Sequence, residues 1–410
     1  MPLLVAAFDP GPTALLGWVA AFVGLVFWLS QQKYLAALFE VIPPIIWIYA
    51  LPAVASSLGL VPQESPLYSL LSGTLLPVAL VLLLVGTDLP AVVRLGPPAL
   101  VMMLVGSVGI VLGAPLALFL FGSWLPPEAW SAFGALSGSW TGGFANMVAV
   151  KESIATPDRI FGVAVAMDFL VGYSWTVLLL FLSRYQRVCD RWLGADQNQV
   201  EQSMARLAEQ QNTVVEPITV PGLMVLLGLA FGLSGVALAL GGVIFERLKD
   251  LLPALNAVLT AKTWGFILVT TFALGLSLTP VARLERQGAS RLGSGLLYLV
   301  VATLGAQGDL SAIVRYPLFL LAGAVWISFH ALLLVATARV THTPMFLLAV
   351  GSQANTGGVV SAPIVAQAYR AGTAPLGLFM AVLGNIIGTY AGLTAAGLCQ
   401  AVARSRGWIP

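Results

Sequence analysis

Apolar runs follow one another along almost the whole chain, each about 17–25 residues long, the length a helix needs to cross roughly 30 Å of hydrocarbon. They fall near residues 13–31, 40–58, 67–87, 97–121, 130–151 and 160–183, then near 218–243, 261–281, 289–307, 314–338, 345–368 and 374–402. Of 410 residues 59% are hydrophobic and only 9% charged, against about a quarter charged in soluble domains. A soluble fold of this size could not cover its surface with so few charges. The expected class is an all-α polytopic membrane protein, with the lipid bilayer as its main partner.

Other classes are disfavoured by what the chain carries. The formal net charge of +2 is too small to suggest a nucleic-acid partner. Cys189 and Cys399 are the only cysteines and stand in no ligand spacing, so neither a structural disulfide nor a zinc site is expected. Residues 1–8 show no basic n-region and no small-residue cleavage site, so no cleaved signal peptide is expected. Nothing resembles a P-loop, a metal-binding His cluster or a nucleophile beside a base. The chain is read as no enzyme, with no cofactor beyond Na+ or H+ as a coupling ion.

One long polar segment, 184–219, divides the runs into two halves. It holds Arg184, Arg187, Arg191 and Arg206 among five acids, which places it in the cytoplasm by the positive-inside rule. The cluster Arg283, Arg286 and Arg291 lies two runs further on and falls on the same side. The organisation read from this is a first transmembrane repeat over 1–184, a polar cytoplasmic linker over 185–217 and a second repeat over 218–410. Within the linker, 197–211 reads as a surface helix.

The halves repeat each other in detail. Gly138-Ser139-Trp140-Thr141-Gly142-Gly143 and Gly351-Ser352-Gln353-Ala354-Asn355-Thr356-Gly357-Gly358 are near-copies about half a chain apart. Asp88-Leu89-Pro90-Ala91-Val92-Val93-Arg94 matches Asp309-Leu310-Ser311-Ala312-Ile313-Val314-Arg315. Residues 162–173 match 377–390, which sets Asp168 opposite Asn385. Paired Gly-rich interruptions at corresponding places are the best sequence pointer to a transporter's binding site. Glycine permits the unwound backbone of a broken helix, whose freed N–H and C=O groups need a polar cavity.

Around the first interruption sit Ser137, Ser139, Thr141 and Asn146, and around the second Ser352, Gln353, Asn355, Thr356 and Ser361. Such a set of hydroxyls and amides suits a small cation or a polar solute. Close helix packing through small residues is the competing explanation. Asp168 lies about ten residues into its run, near the middle of a bilayer, where a charge costs at least ~2.5–3.5 kcal/mol on insertion scales. A coupling ion explains it, and so does an interhelical hydrogen bond. Asp168, Thr141, Asn146, Asn355, Thr356 and Asn385 are the ion-coupling candidates, with Asp168 as the tentative Na+ ligand. Ser137, Ser139, Gly142, Gly143, Ser352, Gln353, Gly357, Gly358 and Ser361 are the substrate-binding candidates. His330 reads as a packing residue, and Lys151-Glu152 with Asp158-Arg159 as a solvated loop. Six runs per half would make the two repeats parallel, whereas transporter halves of this kind are usually inverted, which needs an odd offset. Re-entrant behaviour at a broken helix, or a short segment around 244–259, would restore the inversion.

Several segments resemble a known family. The Leu-Leu-Pro…Asp-Leu…Arg-Leu-Gly-Pro pattern over 68–98, the Gly138-to-Glu152 run and the Gly351-to-Gln367 run are similar to the bacterial membrane family called domain of unknown function 819. That family is grouped by resemblance with the cation:proton antiporter and bile-acid sodium symporter superfamily. The resemblance implies an inverted-repeat fold with a scaffold (panel) domain and a core domain in which two broken helices cross at the midplane. It also implies that the acid after the first broken helix binds the ion. Asp168 stands there, and Met167 precedes it, so only one acid occupies the position. The expected function is a secondary active transporter that moves a small solute, coupled to Na+ or H+, by elevator-like alternating access. A monovalent cation/proton antiporter is the alternative, and a channel or non-transporting receptor the alternative of another class. The expected place is the cytoplasmic (inner) membrane, with a homodimer formed through the scaffold.

Overall fold

The computed structural model describes residues 11–42, 44–87, 96–196, 217–251, 256, 259–307, 316–370 and 373–410. The matched segments 88–94 and 309–315 and the stretch 197–211 lie outside the described residues. Every element described is helical. In the first half they are α1 (Pro12–Ser30), α2 (Ala36–Val41), α3 (Pro44–Ser57), α4 (Pro66–Val85), α5 (Pro97–Phe121), α6 (Ala129–Gly142), α7 (Phe144–Ser153), α8 (Asp158–Leu182) and α9 (Gln186–Leu193). In the second they are α10 (Val220–Leu248), α11 (Ala261–Ser277), α12 (Ala289–Gln307), α13 (Leu318–Thr341), α14 (Met345–Thr356), α15 (Gly358–Tyr369) and α16 (Ala374–Ser405). Among them α1, α4, α5, α10, α12, α13 and α16, and the helix that runs on from α8 through α9, are long and apolar enough to cross a membrane. The chain is a multi-pass membrane protein.

The helix starts follow local chemistry. Ser65 caps α4 by accepting from the Leu67 N–H, and Thr219 and Thr260 cap α10 and α11 in the same way. Each satisfies one of the N–H groups that a first turn leaves orphaned. Proline occupies the first turn of α1, α4, α5, α10 and α16, where its missing N–H costs nothing. The run expected over 40–58 is divided at its start, and Pro52 lies inside α3.

The two glycine interruptions fold back on themselves. The Glu128 carboxylate, just before α6, pairs with Arg159, just after the start of α8, at 2.6 Å. Thr156 donates to the Ser131 carbonyl at 3.4 Å. A Cβ on Gly138 would stand 2.9 Å from the Asn146 carbonyl oxygen. Contacts between residues 25 and 31 apart in sequence cannot occur in a continuous span, so α6 and α7 form a helical hairpin. The same holds for α14 and α15. The Met345 N–H donates to Asp190 at 2.7 Å, and the Tyr369 hydroxyl donates to the Leu179 carbonyl at 2.8 Å. The first hairpin thus opens at the end of the bundle where α8 begins, and the second at the end where α8 finishes.

This geometry replaces two crossings with two re-entrant hairpins. Outside the hairpins, the long or apolar helices of the two halves are α1, α3, α4, α5 and α8, and α10, α11, α12, α13 and α16, of which the 14-residue α3 and the 17-residue α11 are the short ones. Corresponding helices run antiparallel. Gly106 of α5 packs on His330 of α13 while Gly113 packs on Trp326. Gly293 of α12 packs on Leu82 and Leu83 of α4, while Ala306 joins Tyr68 and Leu71.

The helices gather in two groups. In one, α12 packs on α4 and α3, and α10 and α11 pack on each other and on α4. In the other, α16 packs on α6, α15 and α5, and α13 packs on α5 and α8. The hairpins belong to the second group. If they are re-entrant, cysteines at Trp124 and Ala155 will be labelled from one face of the membrane and cysteines at Val188 and Val340 from the other. Labelling of Trp124 and Ala155 from opposite faces would show that α6 and α7 span.

Candidate functional site

The hairpin tips are set by backbone geometry. Gly143 has φ +80° and Gly358 φ +63°, a region that a side chain enters at a cost of roughly 1–2 kcal/mol. Each tip brings a helix C-terminus and a helix N-terminus into the middle of the bundle, with their unpaired carbonyls and N–H groups.

The first tip is sealed against α16. Small residues allow the approach: a Cβ on Gly134, Gly142 or Gly388 would meet the facing helix at 2.5, 2.5 and 2.7 Å. Asn146 donates to the Gly142 carbonyl at 2.6 Å and to the Asn385 carbonyl at 3.4 Å, and accepts from Thr389 at 2.6 Å. Asn146 therefore works as a clasp whose polar atoms are occupied. The Asn385 side chain is partly exposed and lies toward Gly143.

The second tip meets α8 and is left open in hydrogen-bonding terms. Asp168 accepts from Ser139 at 2.8 Å through Oδ2. A Cβ on Gly172, one turn further along α8, would lie 3.9 Å from Asp168 Oδ1, 3.9 Å from the Thr356 carbonyl oxygen and 3.8 Å from Trp140 Nε1. Three polar atoms from α8, α14 and α6 thus converge on one bare glycine face. Thr141 Oγ1 and Gln353 Oε1 are buried without a hydrogen-bond partner, while the buried indole N–H of Trp140 is directed at the Asp168 carboxylate. Gln353 Nε2 donates to Ser361 at 2.6 Å and to Thr176 at 2.9 Å. An unpaired buried polar atom costs about 1–3 kcal/mol, so Thr141 Oγ1 and Gln353 Oε1, each close to a hairpin tip, fit a polar ligand better than packing. The oxygen donors, a carboxylate and a C-terminal carbonyl with hydroxyls nearby, are the hard ligands that alkali cations take.

The structure separates some of the expected site residues from this centre. Asn355 is buried against α5, donating to the Gly351 and Met103 carbonyls at 2.9 and 3.0 Å and accepting from Ser107 at 2.7 Å. Ser137 donates to the Phe133 carbonyl and Thr356 Oγ1 to the Ser352 carbonyl, so both hydroxyls are held within their own helices. Ser352 accepts from Trp175 Nε1 at 2.8 Å and lies 2.9 Å from His330 Nε2.

His330 is more connected than its sequence context suggests. Its Nδ1 lies 2.9 Å from the Gly106 carbonyl, which can only accept, so the proton sits on Nδ1. Ser352 then donates to Nε2, and Trp175 donates to Ser352. This chain ties α13, α5, α14 and α8 together behind the second tip. Trp140 and Trp175 were not among the expected site residues, since their partners, Asp168 and Ser352, lie on other helices.

Lys151, Glu152 and Asp158 do not form a solvated loop. Lys151 and Glu152 are buried, and Lys151 pairs with Glu152 and with Asp158, each at 2.8 Å. Lys262 of α11 closes on Glu152 at 2.6 Å. The expected solvation fails because the partner comes from a helix 110 residues away in sequence.

Fold and centre together describe a multi-pass membrane protein with a polar site at paired re-entrant hairpins. The chain belongs to the family described as "Protein of unknown function (DUF819)", which it matches over residues 17–402. It is similar to the "Uncharacterized membrane protein YjcL" of Bacillus subtilis (strain 168), with 25% identity over 385 residues that cover 92% of each chain.

Replacing His330 with Ala will leave a cavity and an unpaired Ser352, and should lower stability by about 2–4 kcal/mol. Thermal unfolding of the purified protein measures this. A variant as stable as the wild type would show that the His330 chain does not hold the second hairpin.

Proposed function

We propose that the protein is a secondary active transporter that couples movement of a small polar solute to a monovalent cation, Na+ or H+, bound at Asp168. The observation that carries this reading is the meeting of two oppositely entering hairpins beside one carboxylate, with Thr141 Oγ1 and Gln353 Oε1 buried and unpaired near the tips. Hydrocarbon cannot satisfy broken backbone, and such geometry persists where it lines a site. We read the halves as an inverted repeat, the arrangement in which transporters bind at the repeat interface near the midplane.

In this mechanism the cation sits between Asp168 Oδ1 and the Thr356 carbonyl, with Ser139 holding the other carboxylate oxygen in place. Neutralising Asp168 removes much of the cost of carrying a bare charge through a low-dielectric layer. The group holding both hairpins, α5–α8 with α13–α16, is the core that moves. The group of α1, α3, α4 and α10–α12 is the scaffold against which it slides. The solute lies beside the tips, where Gln353 and Thr141 offer their free atoms. Arg184, Arg187, Arg191, Arg283, Arg286 and Arg291 gather at the end where the second hairpin opens. By the positive-inside rule that end faces the cytoplasm, which fits the cytoplasmic membrane. No enzymatic step is assigned to the chain.

Thermal stabilisation across Na+ concentrations and pH, over a panel of small solutes, tests the reading, because a ligand stabilises in proportion to its occupancy of the folded state. Asp168→Asn should abolish cation-dependent stabilisation and uptake, and Ser139→Ala should weaken Na+ affinity about tenfold, because the carboxylate loses the charge-assisted hydrogen bond that orients it. Unchanged cation dependence in Asp168→Asn would sink the proposal. Gly143→Leu and Gly358→Leu should insert normally and lose transport, since neither tip tolerates a side chain at its φ.

A further inference from the structure

The C-terminus of α7 and the N-terminus of α11 meet end to end. Ser153, the last residue of α7, offers a carbonyl that no later helical turn satisfies. It accepts from both Thr260 and Thr263 of α11, each at 3.0 Å. Thr260 also caps α11 by accepting from the Thr263 N–H at 3.1 Å. One threonine therefore closes the start of one helix and the end of another. The buried pair of Lys151 with Glu152 lies directly beside this junction, and Lys262 completes it from α11.

The charges are placed against the rule for their own helices. A helix favours anions at its N-terminus and cations at its C-terminus. Glu152 stands in the last turn of α7, and Lys262 in the first turn of α11. Each is at the unfavourable end of its own helix and at the favourable end of the other's. The Glu152–Lys262 pair therefore exists only while the two helices abut, whereas Lys151, in the same last turn of α7, pairs with Glu152 at 2.8 Å from within its own helix. The Glu152 carboxylate side chain is 9% exposed, and a buried carboxylate that loses a partner is strongly penalised. Lys262 is 45% exposed, which leaves water a route to its ammonium. At the opposite end, α15 packs mainly on α16, α14, α8 and α6, all of them in its own group. Only the first hairpin is fastened to the other group in this way among the described residues.

We propose that the α7–α11 junction is a latch that holds the hairpin-bearing group against the other in one of its two end positions. It rests on the transport reading, because only a moving core needs a contact that is favourable in one position alone. The latch opens when Lys262 parts from Glu152. Lys151 then stays on Glu152 and Asp158, so Glu152 keeps one partner within the moving group, and the single negative charge left over lies nearest water at Asp158, whose side chain is 38% exposed. The half-exposed lysine is left to water.

The test uses full-length protein in lipid, in a Cys189→Ser, Cys399→Ala background. Spin labels replace Trp124, beyond α5, and Leu251, beyond α10, positions 66% and 72% exposed. The distance between them reads the position of one group against the other without any transport assay. With Lys262 intact, one distance should dominate. Lys262→Gln should raise the ratio of a second distance to the first roughly tenfold, as expected for loss of a partly exposed partner to a buried charge. Lys262→Arg, which keeps the pair, should match the wild type. An unchanged distribution in Lys262→Gln, with uptake intact, overturns the latch and leaves transport standing. A second distance in Lys262→Gln with no uptake of any solute keeps the two-position latch and removes the transport reading.

Discussion

A helix that stops in the middle of a bilayer leaves backbone groups that nothing in hydrocarbon can satisfy, and this fold has two such stops. Everything near them is arranged to shelter those ends. The face of α16 is reduced to Gly384, Gly388, Gly392 and Ala396 so that α6 can lie against it at backbone distance. A side chain supplies a missing bond at the first stop, where Asn146 returns to the Gly142 carbonyl, and at the second Asn355 ties α14 to the Met103 carbonyl of α5. The antiparallel run of α5 against α13, and of α4 against α12, follows from the same cause. Two hairpins that enter and leave at one end each remove a crossing, and the two halves then point in opposite directions.

The two tips are equivalent in sequence but not in chemistry. At the first, every polar atom of Asn146 is used, and α16 contributes a neutral Asn385. At the second, α8 contributes Asp168, which takes hydrogen bonds from Ser139 and Trp140 of the first hairpin, and Gln353 Oε1 stays unpaired. One seam is therefore closed by neutral hydrogen bonds, and the other holds a carboxylate. Under the transport proposal that difference, an aspartate against an asparagine at matched positions, separates the ion-binding seam from the structural one.

Much of this was legible in the sequence because the constraints are local. Run length gives the helices to within a few residues, as for 97–121 and 289–307, and glycine pairs give the breaks. The fold-back was not legible, since a 22-residue apolar run around Gly142-Gly143 is also long enough to span. What decides between the two is tertiary: Gly138 against Asn146, and Glu128 against Arg159 across the hairpin mouth. Parity was the one hint, because six crossings per half do not invert. Ser352 and Asn355 were correctly placed near the break, but their partners, His330 and Ser107, lie on other helices and could not be read from spacing. Lys151-Glu152 looked solvated for the same reason, with Lys262 invisible from where they stand.

That misreading bears on how the charges of a membrane protein should be weighed. Ionic residues at the ends of apolar runs are commonly topology signals or solvated turns, and an exposed pair there adds little stability. Glu152 differs because burial makes its pairing obligatory and because its helix end is the wrong one for a carboxylate. A contact chosen for stability alone would place the acid at a helix N-terminus and the base at a C-terminus, where each is favoured whether or not the other is present. Here both preferences are reversed for Glu152 and Lys262, so the part of the favourable energy that Lys262 supplies exists only in the assembled junction, while Lys151 serves Glu152 from within α7. Such an arrangement is poorly suited to a permanent seam and well suited to one that must be definite when closed and free to part.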